Sequence, residues 1–453
     1  MNFIDLFAGI GGFHVALSQL GHRCVYASEI VLEYRRLYHE NFGIEASGDI
    51  KKENVLDIPP HDILCAGFPC QPFSKAGYQN GLSDEDRGTL FHDIARILSH
   101  HRPRYFILEN VPNLEFHNKG KTWAVIRETL ESELGYSVAH KKLSPHDFGV
   151  PQLRERMIIV GSLNGLSHFT WPQPDMQVAS GISDIIVDDI RIPKKLPERE
   201  LECLDLWQEF LDRLPKHTKL PSFPIWSMEF GATYPFEEKA PIHFKKKELD
   251  AFLGCFGQSL HGMTKAQQLE RLPSYARSKP KSIQFPTWKK RFIRQNREFY
   301  QTHKKHIDPL ISRLEKMPPS WQKFEWNCQG EEGDLFKKII QFRGSGIRVK
   351  RPDYSPALVA SSSTQIPIIG WKKRYLSIEE GLKLQSLNGI RLNTSEGLAY
   401  QALGNAVNAK VIELVAKNLI QNERIVDFYT SHANEVELEH IYSTSYRLRY
   451  GNE

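Results

Sequence analysis

At 453 residues, with 40% hydrophobic content, the chain is long enough for two or three domains and can fill ordinary globular cores. Its six cysteines (Cys24, Cys65, Cys70, Cys203, Cys255 and Cys328) form no C-x-x-C pair, so neither a disulfide framework nor a zinc site is expected, and a reducing, cytoplasmic setting fits best. The net charge of +5 is unevenly spread: residues 251–350 hold 20 Lys and Arg against 8 Asp and Glu, which leaves the remainder slightly acidic and suggests one face for a polyanion.

The first strand begins at Asn2, which leaves no room for a signal peptide, and no apolar run is long enough to span a bilayer, so no targeting segment and no membrane partner are expected. Up to about residue 162, short apolar stretches alternate with amphipathic ones. Strands are expected at Asn2–Phe7, Arg23–Glu29, Ile63–Ala66, Tyr105–Glu109, Ser137–Leu143 and Met157–Gly161, with helices near Gly12–Leu20, Val31–Asn41, Gly88–His101 and Thr122–Leu134. Strands separated by helices imply an α/β, doubly wound, mostly parallel sheet, with ligands at the carboxyl ends of its strands. From about Ser162 the rhythm is lost and prolines, aromatics and charges mix to roughly residue 345, as in a separate, irregular second domain. A third section, from Gln385, closes with the helical pattern Asn408–Leu419, read as a return of the chain to the first domain. The tail after Asn422 carries no readable chemical signal.

Along the first domain, polar and glycine residues fall where the strands end. Asp5-Leu6-Phe7-Ala8-Gly9-Ile10-Gly11-Gly12 makes a glycine-rich turn between strand and helix, and at Gly9 and Gly11 a missing side chain lets a ligand approach the backbone. Glu29 ends the second strand, where a carboxylate accepts hydrogen bonds from ribose hydroxyls. Phe13 and His14 follow Gly12 where G-x-G-x-x-G would place its third glycine, which speaks against a dinucleotide site. Cys70 lies in the rigid loop Pro69-Cys70-Gln71-Pro72, directly after the apolar run Asp62–Ala66, so its thiol stands at the rim of a sheet as a nucleophile would, whereas Cys65 within the strand suits packing. Glu109 closes the apolar run Phe106-Ile107-Leu108 at the same rim, and Arg154 and Arg156 alternate along an extended segment entering the next strand. The glycine-punctuated stretch Gln71–Leu90 is expected to close over substrate, with Ser74 and Arg87 suited to phosphates.

In order, the glycine turn, Pro69-Cys70-Gln71, Glu109-Asn110-Val111, Gln152-x-Arg154-x-Arg156 and Gly404-Asn405-Ala406-Val407 resemble the DNA (cytosine-5) methyltransferase family, of the bacterial restriction-modification type. The resemblance implies an S-adenosylmethionine-dependent, Rossmann-like methyltransferase domain with a smaller target-recognition domain, and no metal. It divides the chain into a catalytic domain at 1–165, a recognition domain at 166–395 and a segment at 396–453 that rejoins the first. On the family's pattern Cys70, Glu109, Arg154 and Arg156 are catalytic: Cys70 adds to C6 of a flipped cytosine, Glu109 holds its N3 edge, Arg156 contacts O2 and Arg154 supports. Phe7, Gly9, Gly11, Glu29, Asp49, Ile50, Pro69, Leu90, Asn405 and Val407 would form the cofactor pocket. The implied partner is double-stranded DNA, with a cognate restriction endonuclease in the same system but no stable complex, and a monomeric enzyme. Gly381-Leu382-Lys383-Leu384-Gln385 departs from the family, where relatives often carry small residues and an Arg before Leu-Gln.

In the second domain, Lys279–Lys305 carries nine basic residues against Glu298 alone, with Phe285, Trp288, Phe292, Phe299 and Tyr300 interleaved. At helical spacing the aromatics suit a core-facing stripe and the charges either a solvated or a phosphate-gripping face. The segment from Arg343 through Arg348 to Gln365 is the expected reader of base edges. Three alternatives stand beside this reading: a tRNA cytosine-5 methyltransferase of the same fold, a catalytically silent DNA-binding relative, and a nicotinamide oxidoreductase. The large basic insert speaks against the first, the retained Cys70 and Glu109 against the second, and the altered glycine pattern against the third.

Overall fold

The computed structural model describes residues 1–69, 90–174, 181–188, 194–216, 218–277, 282–358 and 365–420. By packing, the chain falls into two units: the first joins 1–186 to 356–361 and 378–453, and the second joins 187–355 to 362–377. The division by role at 165 and 395 thus differs from the division by contacts, which assigns 166–186 and 378–395 to the first unit.

In chain order the first unit begins β1 (Asn2–Leu6), α1 (Gly12–Gln19), β2 (Arg23–Ser28), α2 (Leu32–Phe42), β3 (Ile63–Gly67), α3 (Leu90–His101), β4 (Tyr105–Asn110), α4 (Lys121–Glu128), β5 (Ser137–Leu143), β6 (Gln152–Leu153) and β7 (Arg156–Ser162). Its sheet runs in the order β2-β1-β3-β4-β7-β5. β2, β1, β3 and β4 are parallel, and β7 is antiparallel to both of its neighbours. The expected helix over 122–134 is α4 followed by a π-helical turn at Thr129–Glu133.

The central strands are apolar up to their carboxyl ends because both faces are covered: Leu64, Ala66, Phe106 and Leu108 are fully buried, and α3 packs Phe91, Ile94, Ile97 and Leu98 against them. β7 tolerates this density through Gly161, which is opposite Phe106 in the ladder, and a Cβ there would stand 2.1 Å from the Phe106 ring. Burial of this kind, at roughly 25 cal/mol per Å² of apolar surface, dominates the stability of such a sheet.

The second unit contains α5 (Glu198–Arg213), β8 (Ile225–Trp226), α6 (Lys246–Leu249), α7 (Lys265–Glu270), α8 (Ser274–Arg277), α9 (Thr287–Ile307), α10 (Ile311–Leu314), β9 (Lys323–Asn327), β10 (Ile339–Arg343) and β11 (Gly346–Lys350). β12 (Ser355–Pro356), β13 (Ile368–Ile369) and β14 (Arg374–Tyr375) follow. Its sheet has the order β14-β13-β10-β11-β9-β8, with strands of two to five residues. Strands that short carry too few alternations to announce themselves, which is why the stretch reads as irregular. Aromatic stacking replaces periodicity: Trp207 of α5 lies parallel to Phe324 of β9 at 4.7 Å, and Phe230 stacks on Tyr300 of α9 at 5.3 Å.

The first unit is completed by α11 (Ile378–Leu384), α12 (Glu396–Asn405) and a helix over 409–420. Within the stretch that departs from the family, Gly381 is the small residue, and a Cβ there would meet Leu403 of α12 at 2.6 Å. Gln385 then ties the two helices by donating to the Leu403 carbonyl at 2.9 Å.

Candidate active site

The carboxyl ends of β1 and β2 carry the first half of the site. The β1–α1 turn passes through left-handed backbone at Phe7 (φ 55°), Gly9 (φ 55°) and Gly11 (φ 86°). For Phe7 that conformation costs about 1–3 kcal/mol, and it is held there by the surrounding loop. Glu29, at the end of β2, anchors this loop: one carboxylate oxygen accepts from the Gly9 N–H and the other from the Val31 N–H, each at 2.8 Å. Burial raises the Glu29 pKa, while these backbone donors pull it back. Nothing lies within 4 Å of where a Gly9 Cβ would be, so the backbone faces open space beside the Glu29 carboxylate. Directly after it, Ile30 and Leu32 are each 69% exposed, an apolar surface next to a hydrogen-bonding carboxylate. Asp49 caps a 3-10 turn by accepting from Lys51 N–H at 3.2 Å, and Ile50 is buried in the core with its carbonyl held by Arg96 at 3.0 Å.

The C-terminal segment closes this corner. A Cβ on Gly12 would stand 2.4 Å from the Val407 carbonyl oxygen, and one on Gly67 3.2 Å from a Val407 methyl, so the 405–408 turn lies close against the start of α1 and the end of β3. Asn405 is exposed at the end of α12, and Asn408 fixes the next helix by donating to the Leu384 carbonyl at 3.0 Å and accepting from the Val411 N–H at 3.1 Å.

The second half of the site stands on β4 and β7. Glu109, buried at the end of β4, is paired with Arg156 Nε at 2.9 Å. Burial raises its pKa above the ordinary 4.5, against the opposing pull of Arg156 and then Arg154. Arg154 is only 2% exposed, and its guanidinium is committed to backbone carbonyls: Gly404 and Ala406 at 2.9 Å and Leu358 at 3.3 Å. Burial, and then Arg156, push its pKa down to about 9, with Glu109 opposing. Glu109, Arg154, Arg156, Val407 and Asn408 line one narrow recess. The sequence grouped Arg154 with the catalytic residues; its hydrogen bonds are those of a positioning residue that holds the 404–406 turn.

Cys70 and the stretch 71–89 lie outside the described residues, as do Lys279, Lys281, Ser361–Thr364 and the tail from 421. On either side of that stretch, Phe68 is buried and Pro69 exposed, and Leu90 opens α3 half-buried against the core. Asn110, whose role the sequence did not disclose, donates to the Phe68 carbonyl at 2.8 Å and accepts from the Val111 N–H at 2.8 Å. It thereby ties the end of β4 to the end of β3. Cys65 is fully buried and burial pushes its thiol well up, as befits a packing residue.

In the second unit, the expected base readers share one carboxylate. Arg343 Nη2 lies 2.8 Å and Arg348 Nε 3.0 Å from Glu325 of β9, which is opposite Arg348 in the ladder. Among the described residues no group of three or more His, Cys, Asp or Glu side chains is placed to hold a metal ion, and no helix is long and apolar enough to cross a membrane.

Comparison with known proteins follows the same lines. The family model for C-5 cytosine-specific DNA methylase matches residues 1–421. Type II methyltransferase M.AluI of Cellulosimicrobium cellulans is 31% identical over 93% of this chain and 92% of its own length. M.HhaI of Haemophilus parahaemolyticus is 40% identical over 49% of this chain and 67% of its own, and M.MspI of Moraxella sp. is 45% identical over 42% and 44%. Among solved structures, a protein encoded within an E. coli prophage and described as a DNA modification methyltransferase shares the fold at a TM-score of 0.51 and 18% identity, over 94% of this chain and 99% of that one. The chain belongs to the C-5 cytosine-specific DNA methylase family.

Proposed function

We propose that this methyltransferase modifies C5 of a cytosine flipped out of a specific short duplex sequence, through a covalent bond between Cys70 and C6, with S-adenosylmethionine as donor. The observation that carries the reading is the Glu109–Arg156 pair at the carboxyl edge of β4, beside the end of β3 that leads to Pro69-Cys70. Extrusion of the base is required because its C5 and C6 are not within reach inside the stack.

The Cys70 thiolate forms the S–C6 bond, and the C5–C6 π pair becomes available at C5. Glu109, its proton retained to higher pH by burial, donates to N3 as charge gathers on the ring, while Arg156 donates to O2 and to the Glu109 carboxylate. S-adenosylmethionine, when bound, supplies an electrophilic methyl carbon. Once C5 has taken that methyl group, loss of the C5 proton to solvent returns its pair to the ring as the C5–C6 double bond, expels the Cys70 thiolate, and lets the N3 proton return to Glu109.

We assign Phe7, Gly9, Gly11, Glu29, Asp49, Ile50, Pro69, Leu90, Asn405 and Val407 to the pocket of that donor. The open face over Gly9, the carboxylate of Glu29 and the exposed Ile30 offer respectively room, a ribose partner and an apolar bed for a purine. Arg154 holds the 404–406 turn in this corner. Because the matched relatives are named Type II methyltransferases, we further propose that the enzyme protects host DNA as a monomer, opposite a restriction endonuclease with which it forms no stable complex.

A duplex bearing 5-fluorocytosine at the target, incubated with enzyme and donor, tests the reading. Fluorine cannot leave C5 as a proton does, so the adduct should persist and map to Cys70 by mass spectrometry. It should vanish in Cys70→Ala and without donor. A cross-link at another residue, or none at a target confirmed by bisulfite sequencing, would refute the mechanism.

A further inference from the structure

The basic stretch at 279–305 divides once its partners are known. Arg297 is spent within the second unit, its Nε 2.9 Å from the fully buried Glu229, which also accepts from the hydroxyls of Tyr234 and Tyr275. Arg294 pairs with Glu237 at 2.9 Å, the carbonyl of Glu237 accepts from Lys290, and Lys304 pairs with Asp308. Lys289 is different. Its ammonium has no carboxylate partner among the described residues, and lies 4.8 Å from the ring centre of Phe285, 5.4 Å from Tyr275 and 5.6 Å from Trp288.

A second lysine, distant in sequence, approaches the same Tyr275 ring. Lys323, the first residue of β9, has its ammonium 5.8 Å from the same Tyr275 ring and 5.9 Å from Trp226, again with no carboxylate partner among the described residues. Burial lowers the pKa of both, and Lys289 lowers that of Lys323 further. Two half-buried cations that repel one another are costly, and the aromatic faces offset only part of that cost, at about 0.5–2 kcal/mol each. An anion would offset the rest. At the rim stands Trp288, 50% exposed.

We propose that Lys289 and Lys323 together bind a phosphate of the DNA backbone, with the Trp288 indole packed on the adjoining sugar. The proposal rests on duplex DNA being the substrate, and it moves the phosphate grip away from Arg294, which pairs with the Glu237 carboxylate, and from Lys290, which donates to the Glu237 carbonyl.

The test uses the full chain and a short duplex, with affinity measured across salt concentrations. Methionine keeps the stem of each lysine on the rings and removes the charge. Lys289→Met with Lys323→Met should flatten the log–log salt slope by about 0.9, the share of one phosphate contact, with each single variant losing part of it, while arginine at either position should restore it. In the unaltered protein, saturating duplex should protect Lys289 and Lys323 from acetylation more than Lys290. An unchanged slope in the double variant, no protection of the two lysines, or a loss that arises instead from Lys290→Met and Arg294→Met overturns the proposal. Failure of the unaltered chain to bind duplex DNA would instead sink the functional reading on which it rests.

Discussion

Arg156 sits diagonally across the β4–β7 ladder from Glu109: Glu109 is opposite Ile158, and Arg156, two positions earlier, projects from the same face to bring Nε within 2.9 Å of the carboxylate. Burial lifts the Glu109 pKa while this guanidinium restrains the rise, which suits a carboxyl group that must hold a proton and yet release it. Because the pKa is raised, the proton persists above the ordinary 4.5 and is lost as pH rises through the higher value. Methyl transfer should therefore fall along that limb. Glu109→Gln should remove the limb and slow turnover by roughly 10²–10⁴-fold, the usual worth of a general acid. A pH–rate profile that keeps the limb in the variant would assign it to another group.

Arg154→Met should act through position rather than chemistry. It leaves the carbonyls of Gly404, Ala406 and Leu358 buried without their donor, and each such group costs about 1–3 kcal/mol. We expect a destabilisation of about 3 kcal/mol by chemical denaturation, since the turn relaxes in part. In the folded enzyme KM for the donor should rise more than kcat falls, because Val407 in the released turn packs on the glycine corner. A pure loss of kcat would instead make Arg154 a catalytic residue.

Asn110→Ala should uncouple the ends of β3 and β4. The Phe68 carbonyl and the Val111 N–H both lose their partner, at about 1–3 kcal/mol for a buried group left unpaired. Methyl transfer should drop at least tenfold, about the 1.4 kcal/mol that a tenfold change represents, while affinity for duplex DNA stays within a few-fold. Equal losses in binding and turnover would show that Asn110 serves the fold as a whole.

Asp5→Asn should change how stability depends on pH. Asp5 is fully buried, and burial raises its pKa well above 3.8, against the Tyr38 hydroxyl and the His14 N–H, with Glu29 adding to the rise. A raised folded-state value means that its stabilising share is complete below about 3.8 and is lost as pH climbs through the folded value. The neutral asparagine escapes that loss. Denaturation midpoints of the two proteins should therefore converge toward pH 4 and separate toward pH 8, with the variant the more stable at the alkaline end. Parallel curves would mean that Asp5 does not titrate on unfolding.

Much of this protein is legible from its sequence because the informative signals are local. Strand and helix alternate visibly up to Ser162, and the apolar runs of β3 and β4 end in Gly67 and in Glu109-Asn110, so the rim where chemistry collects can be found by reading along the chain. Glycine at 9, 11 and 12 likewise announces a turn, with left-handed backbone at 9 and 11 and no room for a Cβ at 11 and 12. What the sequence could not contain is the choice of partner between distant residues. Arg154 and Arg156 are two positions apart and look alike, yet one is drawn to the carbonyls of a turn some 250 residues away and the other to Glu109. Lys289 and Lys290 are adjacent, yet among the described residues Lys290 alone of the two finds an acceptor. The charge of a side chain is written in its residue type, but whether that charge is already met depends on which groups folding brings within hydrogen-bond reach, and only the tertiary structure decides that.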